Sequence, residues 1–324
     1  MRYLFLTFLF LSSSISAGNW NKPSMPIDPD WPPENWHSEM EYNSEHNEGQ
    51  GGFTRKGWTS SGTLKPHQFN IVAAPYPVRY GLYSERFEIR SDDDDGMTEL
   101  TQGNRSELTQ RPSSDNPQIG QDSWIGWSFY YEDLPRLDGT YGWNPKFGQW
   151  KTDLDGTPVI SLTTAHDGRK NNEGGWIAIE LTDLASKQDR SWLKANYFGY
   201  PCRLFDIEKM KSSWIDITIN TNFGDDENGY LKVWINDVMR CDYKGQIVVT
   251  PVKNFESYGV RNNGLIFKRG YWSGHRGFPS KWKTNHPEKP IPTFVVYYDE
   301  WRQGKNRADV DIRLIEGQGG AALD

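Results

Sequence analysis

Three stretches of the chain concentrate side chains able to bind and polarise an anion. Asn104 to Leu108 reads NRSEL, and Arg105 and Glu107 lie two apart, so on a strand they share a face while Ser106 and Leu108 point the other way. A guanidinium held by a neighbouring carboxylate is a fork suited to clamping a substrate carboxylate. Phe147 to Lys151 reads FGQWK, which puts Gln149 and Lys151 on one face and Trp150 on the other. Leu265 to Gly274, LIFKRGYWSG, gathers Lys268, Arg269, Tyr271 and Trp272 around Gly270. A tyrosine beside cations can donate or accept a proton. Taken singly, each stretch also has a plainer reading: a surface ion pair, an edge strand with one polar face, a tyrosine that only packs. A fourth stretch, Val296 to Gly304 (VYYDEWRQG), alternates tightly and reads as a structural core strand.

The elements that must carry these residues are short strands. Segments 80–90, 123–132, 175–182, 213–223, 229–237 and 293–301 are rich in β-branched and aromatic residues, and several alternate in polarity with period two. Turn clusters such as DDDDG, DLDGTP and GDDENG separate them. Short helices are expected around Asp183 to Lys194 and Asp206 to Lys211, and no long amphipathic helix. The expected fold is all-β, a two-sheet jelly roll with a concave face able to hold a chain-like ligand.

Composition narrows the class. Only 35% of the 324 residues are hydrophobic, but 15 Trp, 16 Tyr and 15 Phe supply apolar area, and such aromatic content argues against disorder. Flat rings also suit sugar stacking, although most Trp in a sandwich fill core. The net charge of −7 and the absence of a basic run argue against a nucleic-acid partner. An acidic chain can still bind an anionic polymer where the site is locally basic.

Residues 1–18 read as a signal peptide: Arg2, an apolar run from Tyr3 to Leu11, then small residues to Ala17. Secretion is expected, with no membrane span. Residues 19–45 form a Pro- and Trp-rich tail, 46–316 the jelly-roll domain, and 317–324 a frayed, flexible end. Cys202 and Cys241 have no metal-type spacing; an oxidising compartment permits a disulfide, and two buried thiols are the alternative. The acidic run Asp92 to Asp95 offers oxygen ligands for calcium, but it lacks the EF-hand spacing and fits a solvated hairpin tip better.

In order, NRSEL, GQWK and FKRGYW resemble the three motif regions of jelly-roll alginate lyases: R-[ST]-E-L, Q-[IV]-H and Y-F-K-x-G-x-Y. The wider layout is similar to the heparin lyase I-like polysaccharide lyase family, with RYGLYSERFEIR, WIGWSFYY, GYLKVWINDVM and VYYDEWRQG as framework over roughly residues 50 to 315. The resemblance implies β-elimination on a uronic-acid polymer of alginate, glucuronan or glycosaminoglycan type. Arg105 and Gln149 would neutralise the substrate carboxylate, Lys151 and Lys268 add positive field, and Tyr271 moves protons. Glu107 would orient Arg105, while Arg269, Trp272 and Arg86 would contact substrate. Lys151 stands where the family has His, and lysine is a poor neutral base unless its pKa is strongly lowered. That leaves Tyr271, His166 or, in reserve, Tyr258 as base. Strict alternation from Lys268 puts Trp272 rather than Tyr271 on the shared face, so Tyr271 needs a bulge to reach it. No cofactor is expected to be required, and a monomer is expected.

Two other functions compete. A sandwich glycosidase needs paired carboxylates, and the common E-x-D-x-E pattern is absent. A lectin or binding module would keep the fold without requiring Arg105, Gln149, Lys268 and Tyr271 to converge. Asn104-Arg105-Ser106 is also a glycosylation sequon, and a glycan there would sit in the proposed site.

Overall fold

The computed structural model describes residues 41–43, 52–54, 58–61, 65–90, 93, 104–110, 116–134, 145–151, 158–164, 175–181, 202–248, 265–273, 286–290 and 292–324. Two seven-stranded antiparallel sheets make a jelly-roll sandwich. The first runs β11 (Cys202–Asp206), β10 (Trp176–Glu180), β9 (Ile160–Thr164), β8 (Lys146–Lys151), β15 (Ile266–Ser273), β6 (Asn104–Gln110) and β3 (Trp58–Ser61). The second runs β14 (Val238–Lys244), β13 (Tyr230–Ile235), β12 (Ile215–Thr221), β7 (Ser123–Tyr131), β16 (Phe294–Gly304), β5 (Ser84–Ile89) and β4 (Phe69–Val72). Strands distant in sequence become central neighbours, β15 between β8 and β6 and β16 between β7 and β5, so both sheets are closed by long crossovers.

Alternation explains the layers. In β13, Leu231, Val233 and Ile235 are buried while the residues between them are half-buried. The inner faces interlock through aromatic rings. Trp127 of β7 packs on Trp150 and Phe267 of the first sheet, and Phe129 packs on Phe147 and on Tyr298. Trp58, Trp127 and Trp150 are therefore core residues rather than sugar platforms.

Strand β7 is buried on both faces because the C-terminal segment covers the outer one. A side chain at Gly126 would lie 2.1 Å from the Val310 carbonyl, so only glycine allows this approach. Helix α1 (Ile207–Met210) is capped by Asp206, within the stretch expected to be helical, and α2 (Ile312–Gly317) is capped by Asp311. The segment Asp183 to Lys194 lies outside the described residues. No described helix is long and apolar enough to cross a membrane.

Two expectations about the ends need correction. The last residues do not fray: Tyr80 donates to the Gly320 carbonyl, Leu323 N–H to Glu300, and Leu82 N–H to the Asp324 carboxylate. These contacts satisfy backbone groups that a loose tail would give to water. Within 19–45, β1 (Glu41–Asn43) pairs with β2 (Gly52–Thr54). The signal-peptide segment lies outside the described residues. Cys202 and Cys241 form a disulfide, which joins edge strand β11 of the first sheet to edge strand β14 of the second.

Candidate active site

The outer face of the first sheet carries the polar residues. The register of β15 on β6 sets Lys268 opposite Thr109 and Trp272 opposite Arg105, while β8 sets Gln149 opposite Lys268 and Lys151 opposite Ile266. Arg105, Glu107, Gln149, Lys151, Lys268 and Trp272 thus share one surface. Glu107 is its organiser. It accepts from Gln149 Nε2 at 2.5 Å, and its other oxygen lies 3.5 Å from Arg105 Nε. Glu107 is only 1% exposed, and Gln149, Lys151 and Lys268 are also buried. Desolvation strengthens electrostatic contacts among such groups and raises the cost of leaving charge unbalanced.

Lys146 and Glu180 extend this face as a buried ion pair, and the sequence reading passed over both. Strict alternation from Gln149 puts Lys146 on the opposite side. The register instead shifts between Lys146 and Gly148 against β9, and this bulge returns Lys146 to the polar face. Gly148 inside a strand was the available signal. Across β6, β8, β9, β10 and β15, the described residues of this face carry four cations (Arg105, Lys146, Lys151 and Lys268) against Glu107 and Glu180. The face is locally basic on a chain of net charge −7.

Three expected site residues lie elsewhere. Tyr271 faces the interior, 1% exposed, with its ring stacked on Phe294 and edge-on to Phe147. A bulge does exist here, between Arg269 and Trp272 against β8, but β15 keeps unbroken register with β6, and Tyr271 stays opposite inward-facing Ser106. Arg269 also points inward, where it pairs with Glu85 of the second sheet and lies 3.5 Å over the Trp58 ring. Arg86 sits on the outer face of the second sheet, paired with Glu88 and opposite Tyr297. None of these three side chains shares the surface of Arg105. His166 and Tyr258 lie outside the described residues.

The bulges are held from behind. Gly270 has φ +118°, and a side chain there would come within 2.2 Å of the Ser106 carbonyl. The Tyr298 hydroxyl crosses from the second sheet to the carbonyls of Gly270 (2.9 Å) and Phe147, the two places where the ladder is disturbed. Burial pushes the Tyr298 phenol well above its ordinary value, so it remains a donor.

Of the acidic run, Asp93 is described, and its carboxylate is committed to protein partners: His67 Nε2 at 2.8 Å, Lys65 Nζ at 2.9 Å and the Arg90 N–H at 2.8 Å. Among the described residues no group of three or more His, Cys, Asp or Glu side chains is placed to hold a metal.

A family model described as "Polysaccharide lyase" matches residues 50–302. The chain belongs to the polysaccharide lyase family. The matched span runs from before β2 into β16 and includes every strand of the polar face, so the lyase carries its family signature on the strands just described. No curated protein matches the sequence. Among solved structures, the lyase is similar to the endo-β-1,4-glucuronan lyase of the fungus Trichoderma reesei, with 14% identity, 76% of this chain and 91% of that chain covered, and a TM-score of 0.44. It is also similar to the alginate lyase AlyC3, with 10% identity, 83% and 91% covered, and a TM-score of 0.44.

Proposed function

We propose that this polysaccharide lyase cleaves a uronic-acid polymer by β-elimination. The observation that carries the reading is the single surface on which Glu107 touches both Arg105 and Gln149, with Lys151 and Lys268 beside them. Removing the C5 proton of a uronate leaves charge that its C6 carboxylate cannot stabilise unless that carboxylate is first neutralised. A guanidinium has five N–H donors and an amide two, so Glu107 can orient both groups while both still donate to a substrate carboxylate. Donors fixed before reaction, in a desolvated site, stabilise the developing charge without reorganising.

In the proposed reaction, a base takes the C5 proton and the C–H electron pair becomes the C4–C5 double bond as C4–O4 breaks. O4 leaves with its bonding pair and takes a proton from the Lys268 ammonium, which is recharged from solvent. The local basic balance of the face favours an anionic polymer such as alginate or glucuronan, the substrates named for the two similar structures. The amino-terminal segment, with Arg2 ahead of an apolar run, supports secretion, and the Cys202–Cys241 disulfide fits an oxidising compartment. The roles proposed here are filled by side chains alone.

The test is absorbance near 235 nm while the protein is incubated with alginate, polyglucuronate and glycosaminoglycans, because the unsaturated uronate end absorbs there. A rise on one polymer supports the reading and names the substrate. New reducing ends without a rise would make the protein a hydrolase, and retention on a polymer column with neither signal a binding module.

A further inference from the structure

Lys146 and Glu180 form a second ion pair on the polar face, and the sheet register fixes where they stand. Arg105 of β6, Trp272 of β15, Lys146 of β8 and Thr163 of β9 are direct partners across one row. Lys268, Gln149, Ser161 and Glu180 make the next row, from β15 to β10. The Lys146 ammonium therefore leans over β9 to meet the Glu180 carboxylate, away from Arg105. Trp272 is half-buried between the two cations.

Neighbouring strands lie about 4.8 Å apart, so Arg105 and Lys146 are rooted about 10 Å apart with β15 between them. One carboxylate cannot reach both. Lys146 lies as deep as the proposed clamp: it is 5% exposed, against 5% for Gln149 and 6% for Lys268. An ammonium has three donors, and among the described residues this one gives a single bond, to Glu180. Holding a long, flexible side chain in place beforehand lowers the ordering cost that binding would otherwise carry. Stability gives little reason for the pair, because a buried ion pair gains little over apolar residues of similar size. Lys146 also reaches this face only through the bulge at Phe147 and Gly148, which the Tyr298 hydroxyl holds from behind on the Phe147 carbonyl.

We propose that Lys146, oriented by Glu180, binds the carboxylate of a second uronate, on another sugar of the chain that Arg105 and Gln149 clamp, with Trp272 beneath the chain between them. The inference rests on the β-elimination reading and adds a substrate class to it: polymers that present at least two uronates to the β6–β10 face. Lys146 is a binding residue remote from the reacting atoms, and Glu180 is a positioning residue. Such a contact is equally strong before and in the transition state, so it acts on KM and not on kcat.

The experiment uses the full chain and whichever polymer gives the 235 nm signal with the unmodified protein. Lys146→Met is expected to raise KM about 10- to 100-fold, the effect of losing a hydrogen bond to a charged group, with kcat within about twofold. The slope of log KM against log salt should become shallower, because one ionic contact is gone. Lys146→Arg should retain most of the affinity and the salt slope. Lys146→Met alone strands the Glu180 carboxylate, so a double variant, Lys146→Met with Glu180→Met, removes both charges; it should melt near the unmodified protein and still show the raised KM. A KM within about twofold of the unmodified value in the double variant, or a fall in kcat at unchanged KM, would overturn the subsite while leaving β-elimination standing. No 235 nm signal from the unmodified protein on any polymer would remove β-elimination itself, and the subsite with it.

Discussion

The Arg269 guanidinium meets the Glu85 carboxylate between the two sheets, directly behind the strand that presents Lys268 to the polar face. Both side chains are 3% exposed, and the Trp58 ring covers the guanidinium. A buried pair of this kind gains little over apolar packing, but losing one partner strands the other. Glu85→Ala should cost about 3–5 kcal/mol, read as a fall in Tm of about 10 °C. Replacing both residues with Met should recover much of that loss. An unchanged Tm in Glu85→Ala would show that the pair carries no stability.

Tyr271→Phe removes only a hydroxyl from a ring stacked between Phe294 and Phe147. Turnover should stay within about tenfold, well short of the loss expected for a proton-transfer group. Loss of turnover with full polymer binding would instead place that hydroxyl in the chemistry.

Arg105→Lys keeps the charge and loses the fork, so kcat/KM on the active polymer should fall by about 10²-fold or more, as it should for Gln149→Ala. Glu107→Gln should lower both kcat and substrate affinity, because it releases Arg105 and Gln149 together. Steady-state kinetics at 235 nm separate these patterns.

Acid should weaken the fold through Asp93 and Glu88. Burial pushes the Asp93 carboxyl up, but hydrogen bonds from the Arg90 N–H, His67 and Lys65 outweigh it and hold the group below its ordinary value. Glu88 is likewise lowered against its burial by Arg90 and Arg86. A carboxyl lowered in the folded state stabilises the fold above its unfolded pKa, and that stability is lost as pH falls through the folded value. Tm should therefore decline below about pH 4, and Asp93→Asn should flatten the decline relative to the unmodified protein. Identical slopes would exclude Asp93 as a contributor.

Strand positions were legible in the sequence because apolar and aromatic alternation reports a half-buried surface. All six strand segments read from that pattern contain a strand, from β5 to β16. What alternation could not supply was parity across irregularities. The bulge at Phe147 and Gly148 concealed Lys146, and the one beyond Arg269 does not turn Tyr271 outward. Arg269 was misread for a different reason: charged residues normally face water, and only the arrival of Glu85 from the other sheet makes an inward guanidinium tolerable.

The two open margins of the sandwich are fastened by different means. Beside β11 and β14 the fastening is covalent, through a loop with a sequence separation of 39, for which chain entropy gives about 4 kcal/mol. At the opposite margin it is non-covalent, from Gln68, next to β4, to Arg105 and Ser106 of β6. Fluctuations that part the layers should therefore begin at the β3–β4 margin, and amide hydrogens there should exchange sooner than those of β11 and β14. Under reducing conditions the asymmetry should vanish. The redox state of the surroundings thus decides whether one margin of the molecule breathes or both do.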